Sequence, residues 1–361
     1  MIITTCTPQT HLAQLELIET VFHPRMRHRY PWLLSEHNLA HRFVALNGDK
    51  VVGALNYWTD EVTLDGVMVT VASIGAVATH PDYRHQGIAS QLLDYAEQVM
   101  RDEKVDVVVI SGSIDLYLHY GAERLSSVLT FEIPPMERSI TVVPTQVKHV
   151  AQLKVMYDQN PYRFLRTERQ MMELIEATSV PSNWMNTTIL TVMDKNTPKA
   201  YAVVTRRPNK PGAWIREFGG DPTVLEPLAF HLKQELHVQR VIIELIHNDP
   251  LVPVLSQKGW SVVEEPMEST VKVLDFESLV NQLKPRWILI NPKLEDFQVH
   301  QTQDTVTFKL GHDELTTDAR SAQRILFGPW LDHVDGNHPI LAQLKGIVPI
   351  PWVYPSNLNY Q

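Results

Sequence analysis

The stretch Val77-Ala-Thr-His-Pro-Asp-Tyr-Arg84-His-Gln-Gly87-Ile-Ala89-Ser90 decides how the chain is read. Just upstream, Val67 to Thr79 carries β-branched residues and predicts a strand running directly into His80-Pro81. Downstream, Ile88, Leu92, Leu93, Ala96, Val99 and Met100 share one helical face, while Ser90, Gln91, Asp94, Glu97 and Arg101 occupy the other. Asp106-Val-Val-Val-Ile110 then predicts a buried strand. A strand, a short loop centred on glycine, a helix and a second strand form a geometry that binds phosphate. The first turn of the helix leaves N–H groups unpaired, and its dipole favours an anion. Gly87 lets the backbone come close to a ligand, and Ala89 keeps the first turn free of bulk. The spacing Arg-x-x-Gly-x-Ala is common by itself; its place at the head of an amphipathic helix gives it weight over a plain strand-to-helix turn.

Outward from this stretch, Leu12 to Phe22 is apolar at helical spacing, and two apolar runs, Arg42 to Leu46 and Val51 to Tyr57, flank Asn47-Gly48 as an antiparallel hairpin. After Ile110 comes Ser111-Gly-Ser-Ile-Asp115-Leu-Tyr117-Leu-His119-Tyr120-Gly121-Ala122. In order and spacing, residues 77–89 and this Tyr-x-x-aromatic-Gly segment resemble the two hallmarks of the GNAT acetyltransferase superfamily, over residues 1–135. The resemblance implies acetyl-CoA as cosubstrate and no metal. It implies that backbone N–H groups of Arg84, His85, Gln86, Gly87, Ile88, Ala89 and Ser90 hold the pyrophosphate, and that the edge of Val77, Ala78 and Thr79 pairs with the pantetheine amides. Tyr117 stands where the family commonly places the tyrosine that protonates the departing thiolate, and a phenol, with an ordinary pKa near 10, keeps its proton at neutral pH. The alternative for Tyr117 is an amphipathic core tyrosine, which is the reading for Tyr120. His80, His85 and His119 read as capping or solvent-facing residues, so none identifies itself as a base.

From Val142 the pattern begins again. Helical stretches at Leu153 to Tyr157 and Gln170 to Ala177 precede a hairpin (Thr188 to Met193, Lys199 to Thr205), a strand near Trp214 to Phe218, a helix after Gly219-Gly-Asp221-Pro222, and a strand at Arg240 to Ile246. This order repeats the first, and reads as a second copy of the fold with its active elements missing. Asp221 would set a carboxylate where a pyrophosphate would lie, and Leu255 stands where Tyr117 stands in the first copy.

The remaining chain reads as a strand (Met267 to Leu274), a helix (Phe276 to Leu283), strands at Trp287 to Ile290, Phe297 to His300 and Thr305 to Leu310, and a helix from Leu315 to Gly328. A sheet with a docked helix is similar to a sterol-carrier-protein-like module. The final segment, Gly346 to Gln361, is apolar and aromatic, stiffened by proline, and expected to dock onto something. Two tandem acetyltransferase-like domains, such a module and a docked tail together resemble the enhanced intracellular survival (Eis-like) family, which acetylates aminoglycosides and other polyamines. That resemblance implies the α-carboxylate of Gln361 as general base; a tail packed for stability alone is the alternative. The expected fold is α/β with mixed sheets, divided into a catalytic domain (1–140), a degenerate copy (141–266) and a sterol-carrier-like module with its tail (267–361).

Composition limits the function classes. The 361 residues are 44% hydrophobic and 20% charged, which excludes disorder and fibrous repeats. Lys plus Arg number 32 against 41 Asp plus Glu, a formal charge of -9, so no nucleic-acid partner is expected, and a negative surface would draw cationic ligands. The lone cysteine, Cys6, excludes an internal disulfide and a cysteine-based zinc site. No apolar run approaches the roughly 20 residues that span a bilayer, and the start has no basic region followed by an apolar core, so a cytoplasmic protein without a membrane partner is expected. The primary reading is an N-acetyltransferase for a primary amine of a small cationic molecule. A non-catalytic acetyl-CoA or lipid binding module and a protein or peptide acetyltransferase are the alternatives. A homo-oligomer is implied only by analogy with the family.

Overall fold

A computed structural model describes residues 1–361 apart from 113, 125, 179, 181–185, 208–209, 304, 329–337 and 355–361. From the N-terminus, β1 (Ile2–Thr5) leads to helix α1 (Pro8–Val21), whose opening proline sits where a missing N–H costs nothing. The turn α2 (Met26–Arg29) precedes the hairpin β2 (Arg42–Asn47) and β3 (Lys50–Leu64), with Asn47 opposite Lys50. Next come β4 (Val67–Thr79), α3 (Ile88–Asp102), β5 (Val107–Ile110), α4 (Asp115–His119) and β6 (Ser127–Glu132). The second series comprises β7 (Thr141–Pro144), α5 (Val150–Tyr157), β8 (Tyr162–Phe164), α6 (Glu168–Thr178), the hairpin β9 (Asn186–Asp194) and β10 (Thr197–Arg206), and β11 (Gly212–Gly220). It continues through α7 (Leu225–Leu236), β12 (Arg240–Ile246), α8 (Leu251–Gln257) and β13 (Val262–Pro266). The last elements are β14 (Thr270–Val273), α9 (Phe276–Ile290), β15 (Gln298–Gln301), β16 (Thr305–Leu310), β17 (Asp313–Asp318), α10 (Ala319–Phe327) and α11 (Pro339–Leu344). No described helix is long and apolar enough to cross a membrane.

These elements form two compact units of mixed α/β structure. The first comprises Met1–Pro24, Trp32–Ser126 and Met267–Val353; the second comprises Arg25–Pro31, Ser127–Pro266 and, at the C-terminal end, Tyr354. In the first, a sheet runs β1-β2-β3-β4-β5-β14, antiparallel except for the parallel pair β4–β5, and a small antiparallel sheet runs β15-β16-β17. In the second, the order is β13-β6-β12-β11-β10-β9-β7, with β11–β12 the parallel pair. Both large sheets thus carry a hairpin, a third antiparallel strand, a parallel strand beyond it and then an antiparallel strand. The strand in that last place is exchanged. β6 comes after β5 in the chain but pairs with β12, and the place beside β5 is taken by β14.

The helical stripes build the cores. In the first unit Leu92, Leu93, Ala96 and Met100 of α3 are buried against Phe43, Leu55, Ala72 and Val108. In the second, Leu225, Leu228, Ala229 and Leu232 of α7 lie on Ala202, Val204, Ile215 and Ile243. Each such leucine contributes about 2 kcal/mol by leaving water. Two local expectations fail. Trp287 to Ile290, read as a strand, continues α9 through Pro285, because Leu283 and Trp287 share a buried face whose packing outweighs the roughly 3 kcal/mol that an interior proline costs. The helix expected from Leu315 starts only at Ala319, where the Asp318 carboxylate accepts from Ser321 N–H at 3.0 Å; Leu315 belongs to β17.

One irregularity in the first sheet sets the course of the second half of β4. Along β3 and β4, Gly53 opposes Thr79 and Ala54 opposes Ala78, but Asn56 opposes Gly75, so β4 carries an extra residue there. Ala76 takes up the bulge with φ of 51°, a conformation that strains any residue with a side chain by about 1–2 kcal/mol. A buried polar network holds it in place. Asn56 Nδ2 donates to the Ala76 carbonyl at 3.2 Å, and its Oδ1 accepts from Gln14 Nε2 and Arg42 Nε, both at 3.2 Å. Arg42 in turn donates to the carbonyls of Leu34 and Ser35.

Both units offer a test of stability. Replacing Asn56 with Leu withdraws the acceptor from the Arg42 and Gln14 donors and the donor from Ala76, and is expected to cost about 2–5 kcal/mol in urea unfolding. An unchanged midpoint would mean that strand pairing alone sets the bulge. In the second unit, burial pushes the Asp249 carboxyl up to about 6, against the opposing pull of Leu251 N–H and Asn160 Nδ2. The folded state therefore binds this proton more tightly than the unfolded chain, and the group's contribution to stability is lost as pH rises through 6. Asp249→Asn should accordingly gain in melting temperature relative to the parent between about pH 4 and pH 6 and hold that gain above it. A pH-independent difference would disprove this.

Candidate functional site

The parallel pair β4–β5 lasts for four register positions, from Val71 opposite Val107 to Ile74 opposite Ile110. Beyond Ile74, β4 runs on to Thr79 while β5 has ended. Among the described residues, no strand therefore lies beside 75–79 on the side away from β3. This half of β4 contains the bulge and the three residues expected at the pantetheine edge. Ala78 is buried, and Val77 and Thr79 are half-buried, with Val77 packed on the first unit's core.

At the end of β4, His80 N–H donates to the Val52 carbonyl, and its ring Nδ1 accepts from Asp82 N–H at 3.3 Å, opening the single turn Pro81–Tyr83. Tyr83 meets the His80 ring edge-on and accepts from Asn47 Nδ2, so the entry to the loop is fixed by side chains. His85 and Gly87 both adopt left-handed backbone, with φ of 59° and 73°. No side chain caps Gly87, and the first helical bond runs from Gln91 N–H to the Gly87 carbonyl. The N–H groups of Ile88, Ala89 and Ser90 precede that bond and have no intrahelical acceptor. Arg84, His85, Gln86, Gly87 and Ser90 are exposed, and Ile88 anchors the turn from below. A Cβ built at Gly53 would lie 2.6 Å from Ile88 Cγ2, so a bare backbone at Gly53 sets how closely α3 starts on the sheet. Sequence reading passes over Gly53; its signal is a glycine interrupting an apolar strand.

Tyr117 lies in the five-residue helix α4, half-buried against the same core as Val77 and Tyr83. Its ring covers Gly112, where a Cβ would approach it to 3.2 Å. The chain just after Tyr117 is held by residues that the sequence does not single out. Lys272 Nζ of β14 donates to the Tyr120 carbonyl at 2.9 Å and to Glu97 Oε2 at 2.5 Å, and lies 3.8 Å from the centre of the Tyr120 ring. Gln323 of α10 donates to the Gly121 carbonyl at 3.1 Å, Arg320 donates to the Leu118 carbonyl, and Arg324 pairs with Glu123. Burial pulls the Lys272 ammonium below its ordinary pKa although Glu97 works against it. Burial alone would raise Glu97, but Lys272 and then Arg101 hold its carboxyl below the usual range. Burial, followed by the charge of Glu97, raises the Tyr120 phenol well above its ordinary value. The loop from Arg84 to Ser90, the edge from Val77 to Thr79 and Tyr117 thus all belong to the first unit; Gln361 lies outside the described residues.

The corresponding places in the second unit carry side chains that pair with one another. β11 and β12 also pair over four positions and then part after Ile215 and Ile243. Asp221 Oδ1 accepts from Thr223 N–H at 2.7 Å, with Lys199 Nζ at 3.1 Å from the same carboxylate. Partial burial would raise the Asp221 carboxyl, but Thr223 and Lys199 hold it below its ordinary value. Leu255 is fully buried. Where the strands part, Arg216 meets Glu244 and the Tyr354 hydroxyl, Arg166 grips Glu217 through two bonds of 2.8 Å, and a cavity of about 60 Å³ remains.

Residues 3–125 match the family described as acetyltransferase (GNAT) domain. No curated protein matches the chain. Among solved structures, the fold is similar to that of an Enterococcus faecalis V583 protein described as a probable N-acyltransferase, with a TM-score of 0.63 at 15% identity over 91% of this chain and 89% of that one. It is also similar to a GCN5-related N-acetyltransferase from Anabaena variabilis (TM-score 0.62, 13% identity, 99% of this chain and 95% of that one). Eis1 from Mycobacterium abscessus is a further match (TM-score 0.59, 13% identity, 91% of this chain and 90% of that one). The first part of the chain thus matches a GNAT acetyltransferase domain, in a chain whose fold is similar to that of these proteins nearly end to end.

Proposed function

We propose that the protein is an acetyl-CoA-dependent N-acetyltransferase acting on a primary amine of a small cationic molecule such as an aminoglycoside or a polyamine. The observation that carries this reading is the uncapped start of α3, fed by two left-handed residues and set against the half of β4 that β5 leaves without a neighbour. The residues there suit the ligand. A Cβ at Gly87 would meet only the Gln91 side chain, at 3.8 Å, and the N–H groups from Arg84 to Ser90 would take the pyrophosphate. Backbone groups of Val77, Ala78 and Thr79 would pair with the pantetheine amides as a strand does. Acetyl-CoA supplies an acetyl thioester, whose transfer forms an N–C bond to the amine and breaks the C–S bond.

The nitrogen must shed two protons as the amide forms. A base takes one before attack, because at its ordinary pKa near 10 the amine would otherwise remain protonated and unreactive; Tyr117 gives its phenolic proton to the departing thiolate, and the second nitrogen proton restores the phenol. The terminal carboxylate of Gln361 is the proposed base, on the strength of the resemblance to the Eis-like family. The second unit serves as scaffold in this reading, supported by Asp221 capping the turn Pro222–Val224 that leads into α7 and by the buried Leu255. The three-stranded sheet β15-β16-β17 with α10 remains a proposed sterol-carrier-like module.

Calorimetric titration with acetyl-CoA tests the reading. We expect one site per chain, absent in Gly87→Glu, whose left-handed backbone and added carboxylate both oppose the anion, with the melting temperature of the variant checked in parallel. Two sites would overturn the scaffold role of the second unit, and no binding would remove the proposed activity. With an amine substrate found by thiol release, Tyr117→Phe should lower kcat by about a hundred-fold while acetyl-CoA affinity stays the same. An unchanged kcat would take Tyr117 out of the mechanism.

A further inference from the structure

A five-residue helix is too short to hold its own shape, because its few internal bonds scarcely offset the cost of nucleation. Helix α4 must therefore be held from outside. On its N-terminal side Gly112 lies under the Tyr117 ring, and its carbonyl accepts from Thr270 Oγ1 at 3.0 Å. Its C-terminal side is held by side chains too. The carbonyls of Leu118, Tyr120 and Gly121 point out of the last turn, and each accepts from a side chain of the later chain, namely Arg320, Lys272 and Gln323. Two of these three are cations at a helix C-terminus, where the exposed carbonyls favour positive charge.

Lys272 differs from the other two in where it stands. On β14 it is opposite Val108 of β5, whose side chain belongs to the core beneath α3. Cross-strand partners point to the same face, so Lys272 projects under α3 while Val271 and Val273 face the other way. There it meets Glu97, itself bonded to Arg101 of the same helix. One ammonium thereby ties together α3, whose start forms the loop-side cradle, the sheet, and the turn that ends α4.

We propose that Lys272 is a positioning residue for Tyr117, fixing the phenol relative to α3 through the Tyr120 carbonyl and Glu97. The inference rests on the reading of Tyr117 as the proton donor. In this arrangement the effect of Lys272 passes through the backbone of α4.

The test uses the full chain, with Lys272→Met keeping the length of the stem and removing the charge. Arg320→Ala, at an exposed position, is the second variant should Lys272→Met fold poorly. Hydrogen exchange by mass spectrometry reads the clamp without reference to activity. Exchange over 115–122 should rise in either variant while that of α3 is unchanged, and unaltered exchange over 115–122 would overturn the proposal. In turnover, Lys272→Met should lower kcat by about ten-fold or more with the KM for acetyl-CoA nearly constant. Added to Tyr117→Phe, it should produce no further loss, because the group being positioned is gone. Losses that multiply in the double variant would mean that Lys272 acts by another route, and would overturn the proposal. If Tyr117→Phe alone leaves kcat unchanged, the functional reading of Tyr117 has failed, and the exchange data still decide whether Lys272 clamps α4.

Discussion

Two parallel strands that pair for only four positions leave the rest of the longer one, among the described residues, without a strand beside it on that side. In the first unit this happens between Ile74 and Thr79, and a bulge at Ala76 accompanies it. Unpaired strand backbone is costly to bury and inviting to a ligand that can pair with it. The strand also delivers the chain to the turn at His80 and to the left-handed residues His85 and Gly87, so the uncapped start of α3 lies directly beyond it. The buried trio of Gln14, Arg42 and Asn56 keeps the bulge in register and so holds both features in place.

The second unit shows the same parting of strands with different side chains. Arg216, Glu244 and Tyr354 meet where β11 and β12 separate, and Arg166 pairs with Glu217, which also accepts from the Tyr201 hydroxyl. Glu217 and Glu244 there each have a cationic and a hydroxyl partner. The topology is the same, while in the second unit paired side chains line the parting around a cavity of about 60 Å³.

Much of the first unit is legible in the order of its residues. β4 spans Val67 to Thr79 as its β-branched run indicates, and α3 begins at Ile88 where the apolar stripe does. The loop with Gly87 is equally readable, because it depends on neighbours a few residues away. What escapes depends on distant parts of the chain. Lys272 sits in a strand whose polar alternation suggests an outward face, and only the pairing of β14 with β5 turns it inward toward Glu97. Arg42, at the head of an apolar strand, gives no sign that it is fully buried. Trp287 reads as strand because Pro285 looks like a terminator when the buried face it shares with Leu283 is not in view.

The exchanged strands bear on how the molecule is made. The stretch that carries the loop and Tyr117 is complete by Ala122, yet its sheet is closed at β5 by β14, which begins only at Thr270. During synthesis at about 5–20 residues per second, the flank of β5 would wait on the order of ten to thirty seconds for its partner. Until then Val107 to Ile110 presents an apolar, unpaired edge, the kind of surface on which chains aggregate. The later strand is thus also a late step in assembly, and the nascent N-terminal part is a natural client for a chaperone. A gene fragment ending near residue 126 would yield a chain left permanently at that stage.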